Sequence, residues 1–195
     1  MTKFLETIKA VDGKIYNLYY HQKRYEKVLD YFHIKNKQNL QDYLSPPQNG
    51  IYRCRLEYDE KNLKVEYIKY EKRDINSLKL IYDDFIEYNF KYKDRENLNN
   101  LYKQRENCSD ILIVKNSLLT DTSIANISLF DGKNWLTPKK PLLEGTTRQR
   151  LLDEGKIRKK NIHIDDLFKY KKIALLNSMI DFDIINSDNL KDIIC

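Results

Sequence analysis

The chain has 195 residues, 41% of them hydrophobic and 33% charged, and a formal net charge of +6. That is enough apolar material for one domain, or for two small units, to fold without disulfides or a structural metal, and it excludes a disordered chain. No apolar run approaches the roughly 20 residues that span a bilayer, and MTKFLETIKAVDGK holds no stretch of signal-peptide type, so a cytoplasmic protein with no membrane role is expected.

In chain order, FLETIKAVDGKIYNLYY contains two β-rich runs broken at Asp12-Gly13, a dipeptide favoured in hairpin turns. HQKRYEKVLDYFHI places Tyr25, Val28, Leu29 and Phe32 at helical spacing and predicts a helix over 21–34. NLQDYL suggests a second short helix, stopped by SPPQNG. IYRCRLEYDEKNLKVEYIKYEK alternates on both sides of DEKN, which predicts another hairpin. Residues 1–76 thus read as a small α+β unit.

SLKLIYDD then suggests a strand. RENLNNLYKQR is helical, with Leu98, Leu101 and Tyr102 on one face. DILIVKN is a buried strand, and SIANISLFDGKNWLTP is a hairpin turning at Asp131-Gly132. GTTRQRLLDEG is a compact helix closed by Gly155. HIDDLFKY reads as a helix, with KIALLN and DFDIIN as strands. Residues 77–195 therefore read as a larger unit built of hairpins and short helices, and the fold class is α+β.

The three cysteines, Cys54, Cys108 and Cys195, stand singly, which argues against a disulfide framework and against a thiolate metal site. His21, His33 and His163 are also dispersed, so no metal is expected. Residues 133–172 hold twelve Lys/Arg against five Asp/Glu, a local charge of +7. A nucleic-acid partner is the reading such a charge invites, but no nucleic-acid module is visible and charge runs are usually solvated faces.

The order of pieces carries more. Asp121, Ala125-Asn126, Leu129-Phe130, Gly132, Thr137-Pro138 and Gly145-Thr146-Thr147-Arg148 follow one another over about forty residues. This order resembles the signature region of the class IV aminotransferases, the fold-type IV pyridoxal-phosphate enzymes. FLETIKAVDGKIYNLYYHQKRY resembles that family's N-terminal hairpin and His-x-x-Arg helix, with Arg24 at the phosphate-binding arginine. FKYKDRENLNNLY resembles the segment that carries the cofactor-bearing lysine, and the distance to Asp121 selects Lys91 over Lys93.

The resemblance implies a pyridoxal 5'-phosphate cofactor, a small-molecule amino substrate and a homodimer. Lys91 would be the catalytic amine and Asp121 the anion beside the pyridine nitrogen, where the family usually has Glu. The phosphate would rest on Thr146 and Thr147 at a helix start, with Arg24 adding a charge-assisted bond. Near the end, LLNSMIDFDII resembles aminodeoxychorismate lyases, which places Asn177 and Ser178 near the phosphate and favours that lyase over an amino-acid aminotransferase. Taken one by one, Arg24 is an ordinary surface arginine, His21 a helix-start or packing residue, Asp121 a turn or cap, and Thr147 a helix-start residue; their shared order is what speaks for a site. Family members carry about twenty-five more residues ahead of the Phe-Glu-Thr strand, so a truncated first unit and a non-catalytic homologue stay open as alternatives.

Overall fold

The computed structural model describes residues 2–187 and 189–195. The chain divides into two compact units: one runs to Lys72 and takes in Phe90–Asp94, and the other comprises Arg73–Asn89 and Arg95–Cys195.

The first unit is a four-stranded antiparallel sheet in the order β2-β1-β3-β4, with β1 at Phe4–Val11, β2 at Lys14–Ile15, β3 at Ile51–Tyr58 and β4 at Leu63–Lys69. Asp12 and Gly13 both take positive φ, as the turn between β1 and β2 requires. β2 is only two residues long because Asn17 adopts a left-handed φ of 55° and turns the chain into helix α1, Leu18–Tyr31. The helix therefore begins three residues ahead of the expected start and ends three before the expected end. Its buried Tyr25, Val28 and Leu29 join Phe4, Ile8, Cys54, Leu56 and Tyr58 in one core, each fully buried aliphatic worth roughly 2 kcal/mol. NLQDYL forms one turn of 3-10 helix over Leu40–Tyr43.

Phe90–Asp94 returns to the first unit along β1. The Leu5 N–H donates to the Lys91 carbonyl at 2.8 Å and the Lys93 N–H to the Lys3 carbonyl at 2.8 Å. Phe90 and Tyr92 pack their rings on Phe4, at 6.4 and 5.5 Å between centroids.

The second unit is an eight-stranded mixed sheet. Its strands are β5 (Leu78–Tyr82), β6 (Asp110–Lys115), β7 (Leu118–Thr122), β8 (Asn126–Phe130), β9 (Trp135–Pro138), β10 (Arg158–Lys160), β11 (Lys172–Asn177) and β12 (Asp181–Ile184). They run in the order β10-β9-β8-β7-β6-β5, with β11 pairing both β8 and β12. Helix α2 is Glu96–Lys103 and α3 is Thr146–Asp153. HIDDLFKY forms a 3-10 helix at Ile164–Lys169 rather than an α-helix.

Two strands escaped the sequence pattern. β7 follows an Asn116-Ser117 turn in which both residues have positive φ, a hairpin turn without glycine. β10 is three exposed basic residues paired in parallel with β9. The expectation that no disulfide forms is corrected as well: Cys108 and Cys195 are bonded, with Cα atoms 6.6 Å apart. Their approach follows from backbone pairing, since Leu78 donates to the Ile193 carbonyl and Cys195 to the Leu78 carbonyl, while Asp110 at the head of β6 lies beside Leu78. No helix among the described residues is long and apolar enough to cross a membrane.

Candidate active site

In the first unit the chain gathers Lys91, Arg24, His21 and Glu6. Phe4, Leu5, Glu6, Ile8 and Ala10 of β1 are buried, and Glu6 is therefore a carboxylate in the core at 0% exposure. It is fully paired. Arg24, one turn beyond His21 on α1, donates from Nε to Glu6 Oε1 at 2.8 Å and from Nη2 to Oε2 at 2.6 Å. His21 Nδ1 lies 2.6 Å from Glu6 Oε2. Burial pushes the Glu6 carboxyl up, but the Arg24 charge and the bonds from His21 and Arg24 outweigh it and hold the group down at about 2.

His21 moves the other way. Burial lowers it, the Glu6 bond and charge oppose that, and the positive charges of Arg24 and Lys91 add to the lowering. With Glu6 ionised and His21 neutral, the proton between them sits on Nδ1, and the imidazole donates. His21 Nε2 is then a buried lone pair with no hydrogen-bond partner among the described residues. Lys91 reaches this cluster because its backbone is bonded to Leu5, the neighbour of Glu6 on β1.

In the second unit Asp121, Asn126, Gly145, Thr146 and Thr147 come together. Asp121 is the fourth residue of β7 and pairs across the turn with Asn126 at the start of β8. The turn is tied by Thr122, whose Oγ1 accepts from the Ala125 N–H at 3.0 Å and the Ile124 N–H at 3.3 Å. Asn126 Nδ2 donates to Asp121 Oδ1 at 2.8 Å and to the Leu143 carbonyl at 2.8 Å, while the Leu143 N–H donates to Asp121 Oδ2 at 2.9 Å. Burial pushes the Asp121 carboxyl up to about 6 against these bonds. Each of its oxygens accepts one bond from this set, so acceptor capacity is left for a ligand donor.

Gly145 is the N-cap of α3 and makes no side-chain capping bond, so the first-turn N–H groups at Thr146 and Thr147 are not covered by a cap side chain. A Cβ at Gly145 would stand 2.1 Å from Asn126 Oδ1. Arg148 is buried at 1% exposure, with Nε donating to Thr137 Oγ1 at 3.2 Å and Nη2 to the Pro138 carbonyl at 2.7 Å. Those bonds lock the start of α3 onto β9.

Asn177 and Ser178 end β11 and begin the turn to β12. Asn177 Oδ1 accepts from the Met179 and Ile180 N–H groups at 2.9 and 3.1 Å, so the side chain closes its own turn, and Nδ2 reaches the Ile124 carbonyl at 3.4 Å. Two arrangements carry weight that the sequence reading did not give them. Glu6 had a signal, a charged residue at a buried-face position of β1, where only a paired charge is tolerated. Asn126 was part of the motif, but its two simultaneous donations are visible only in three dimensions.

Each unit by itself carries groups of the kind a pyridoxal phosphate needs. In the second, an uncapped helix start with a glycine held against a neighbouring side chain suits a phosphate, and a buried carboxylate with spare acceptor capacity suits a protonated ring nitrogen. The first offers a lysine and a guanidinium fixed by a buried carboxylate.

The comparisons with known proteins bear on the same region. The family model for amino-transferase class IV matches residues 92–186. An uncharacterized protein of Haemophilus influenzae is 37% identical over 185 residues, which are 92% of this chain and 98% of that protein. A crystal structure from Haemophilus somnus, provisionally named a 4-amino-4-deoxychorismate lyase, superposes with a TM-score of 0.84 at 37% identity, covering 92% of this chain and 97% of the other. A hypothetical aminotransferase from Mycobacterium tuberculosis in its pyridoxal-phosphate-bound form has a TM-score of 0.78 over 96% of this chain and 82% of its own, but at 16% identity this likeness is one of fold.

Proposed function

The chain belongs to the class IV aminotransferases, a family of pyridoxal-phosphate enzymes, and from that premise we propose that it is a lyase that converts 4-amino-4-deoxychorismate to 4-aminobenzoate and pyruvate. The observation that carries this reading is the 37% identity, over nearly the full length of both chains, to the Haemophilus somnus protein given that provisional name. The Asn177-Ser178 turn at the end of β11 supports it, since its resemblance is to the lyase branch.

Pyridoxal phosphate, when bound, supplies an electron sink for a carbon that bears an amine. Lys91 would hold the cofactor by its side-chain amine and would serve as the proton-transfer group. It takes the proton from the amine-bearing ring carbon and returns one to the departing enolpyruvate. The ring becomes aromatic as the C–O bond to the enolpyruvyl group breaks. Asp121 keeps the ring nitrogen protonated. Within the second unit, Thr146 and Thr147 at the α3 start would hold the phosphate, with Asn177 and Ser178 on the same group; in the first unit, Arg24 of α1 is the arginine that the family resemblance assigns to it. The product implies a place in folate synthesis, and the family implies a homodimer.

The test is direct. Protein loaded with pyridoxal phosphate and given 4-amino-4-deoxychorismate is expected to release 4-aminobenzoate and pyruvate in equal amounts. Conversion of the bound cofactor to its pyridoxamine form on mixing with amino acids, with no 4-aminobenzoate, would establish an aminotransferase instead. A protein that stays colourless with added cofactor is neither.

A further inference from the structure

Glu6 stands behind the arginine assigned to the phosphate, and its role there is not obvious. A buried carboxylate next to an anion site subtracts positive potential and should weaken phosphate binding. Its geometry points the opposite way. Both Glu6 oxygens are taken by the Nε and Nη2 edge of Arg24, a two-bond clamp that fixes the plane and direction of the guanidinium. His21 adds a bond to Oε2 from one turn earlier on the same helix, which holds the carboxylate itself in place. Arg24 is anchored in this way at 13% side-chain exposure, with Glu6 at 0% and His21 at 1%.

A guanidinium has five donors on distinct edges, so one anion on the Nε–Nη2 edge does not bar a second from another edge. What the clamp changes is the entropy of binding. An arginine carries several rotatable bonds, and fixing them beforehand removes a cost that the phosphate would otherwise bear.

From this geometry we infer that Glu6 is the positioning residue for Arg24, setting the guanidinium so that it grips the cofactor phosphate. The inference rests on the pyridoxal-phosphate reading and adds to it a residue to which the resemblance gave no role. It concerns the phosphate alone, and so makes a distinction that a general structural role does not: Glu6 should matter for pyridoxal phosphate and not for pyridoxal.

The experiment is equilibrium dialysis of both compounds against the full chain, as wild type, Glu6→Gln, Arg24→Gln and the double variant. Glu6→Gln is expected to weaken pyridoxal phosphate about fivefold to tenfold and to leave pyridoxal unchanged. In the Arg24→Gln background the Glu6 substitution should have no further effect on phosphate preference, because its action passes through Arg24. Glu6→Asp, which keeps the charge but shortens the reach, should fall between wild type and Glu6→Gln, and it carries the test if Glu6→Gln does not fold. Tighter pyridoxal phosphate binding in Glu6→Gln would overturn the inference and make Glu6 a competing counter-charge. Equal weakening of both compounds, or additive effects in the double variant, would overturn it too. A wild type that binds neither compound refutes the cofactor reading itself, an outcome distinct from all of these.

Discussion

Gly145 stands against Asn126 so closely that a Cβ there would meet the Asn126 Oδ1 at 2.1 Å. The backbone at Gly145 is ordinary, with φ −71° and ψ 146°, so space and not conformation requires glycine. In Gly145→Ala either the helix start shifts or Asn126 swings away and gives up its bonds to Asp121 and the Leu143 carbonyl. A loss of about 1–3 kcal/mol is expected in urea unfolding, together with weaker binding of pyridoxal phosphate. Adding Asn126→Ala should recover part of the steric loss, which a double-mutant cycle on the urea midpoint will read as a favourable coupling.

Asp121 gives the second unit a defined response to pH. Its folded value near 6 lies above the ordinary 3.8, so the folded state holds the proton more tightly than the unfolded chain. Its contribution is therefore most favourable below pH 4 and declines as pH rises to 6, by about 2–3 kcal/mol in all. Unfolding of wild type and Asp121→Asn between pH 4 and 7 should show the difference between them shifting against wild type as pH rises. A flat difference would mean that Asp121 is ionised throughout.

Glu6 runs in the opposite direction. Its value of about 2 lies below 4.5, so the stability it brings is present above pH 4.5 and is lost as pH falls toward 2. Glu6→Gln should cost about 3 kcal/mol at pH 7, since Arg24 loses its buried counter-charge, and that cost should shrink on acidification. Guanidinium-chloride midpoints at pH 7 and pH 3 make the comparison.

Lys91 and Lys93 differ by two positions and differ completely in setting. Lys93 Nζ bonds Glu57 Oε1 at 2.8 Å, an oxygen that Lys3 also reaches at 3.2 Å, on the exposed side of the first unit. Lys93→Ala should cost well under 1 kcal/mol and leave pyridoxal-phosphate binding unchanged. Lys91→Ala should abolish covalent attachment: after borohydride, peptide mass spectrometry should find the added cofactor mass at Lys91 in wild type and nowhere in the variant. Retention of that mass in Lys91→Ala and its loss in Lys93→Ala would move the site by two residues.

The second unit's part of the candidate site could be assembled from the sequence because its parts are local. Asp121, Asn126 and Gly145-Thr146-Thr147 lie on one hairpin and the helix that follows, so spacing along the chain is close to spacing in space. Glu6 was legible only as an anomaly, since nothing in FLETIKAV names a partner 15 and 18 residues on. The Cys108–Cys195 bond spans 87 residues and depends on the chain end pairing with Leu78. No local pattern encodes such a contact. β7 was missed because LLTDT does not alternate: four of its five residues are buried, the aspartate among them.

Phe90–Asp94 interleaves the two units along the chain. The lysine proposed to do the chemistry lies on five residues that pack with the first unit but are spelled inside the stretch encoding the second. A fragment cut at Lys72 would leave the Leu5 N–H without its Lys91 carbonyl and Phe4 without two of its aromatic neighbours. Neither unit can be copied, swapped or lost as one uninterrupted block of sequence. A change that keeps the first unit whole therefore has to keep its amine and its arginine together.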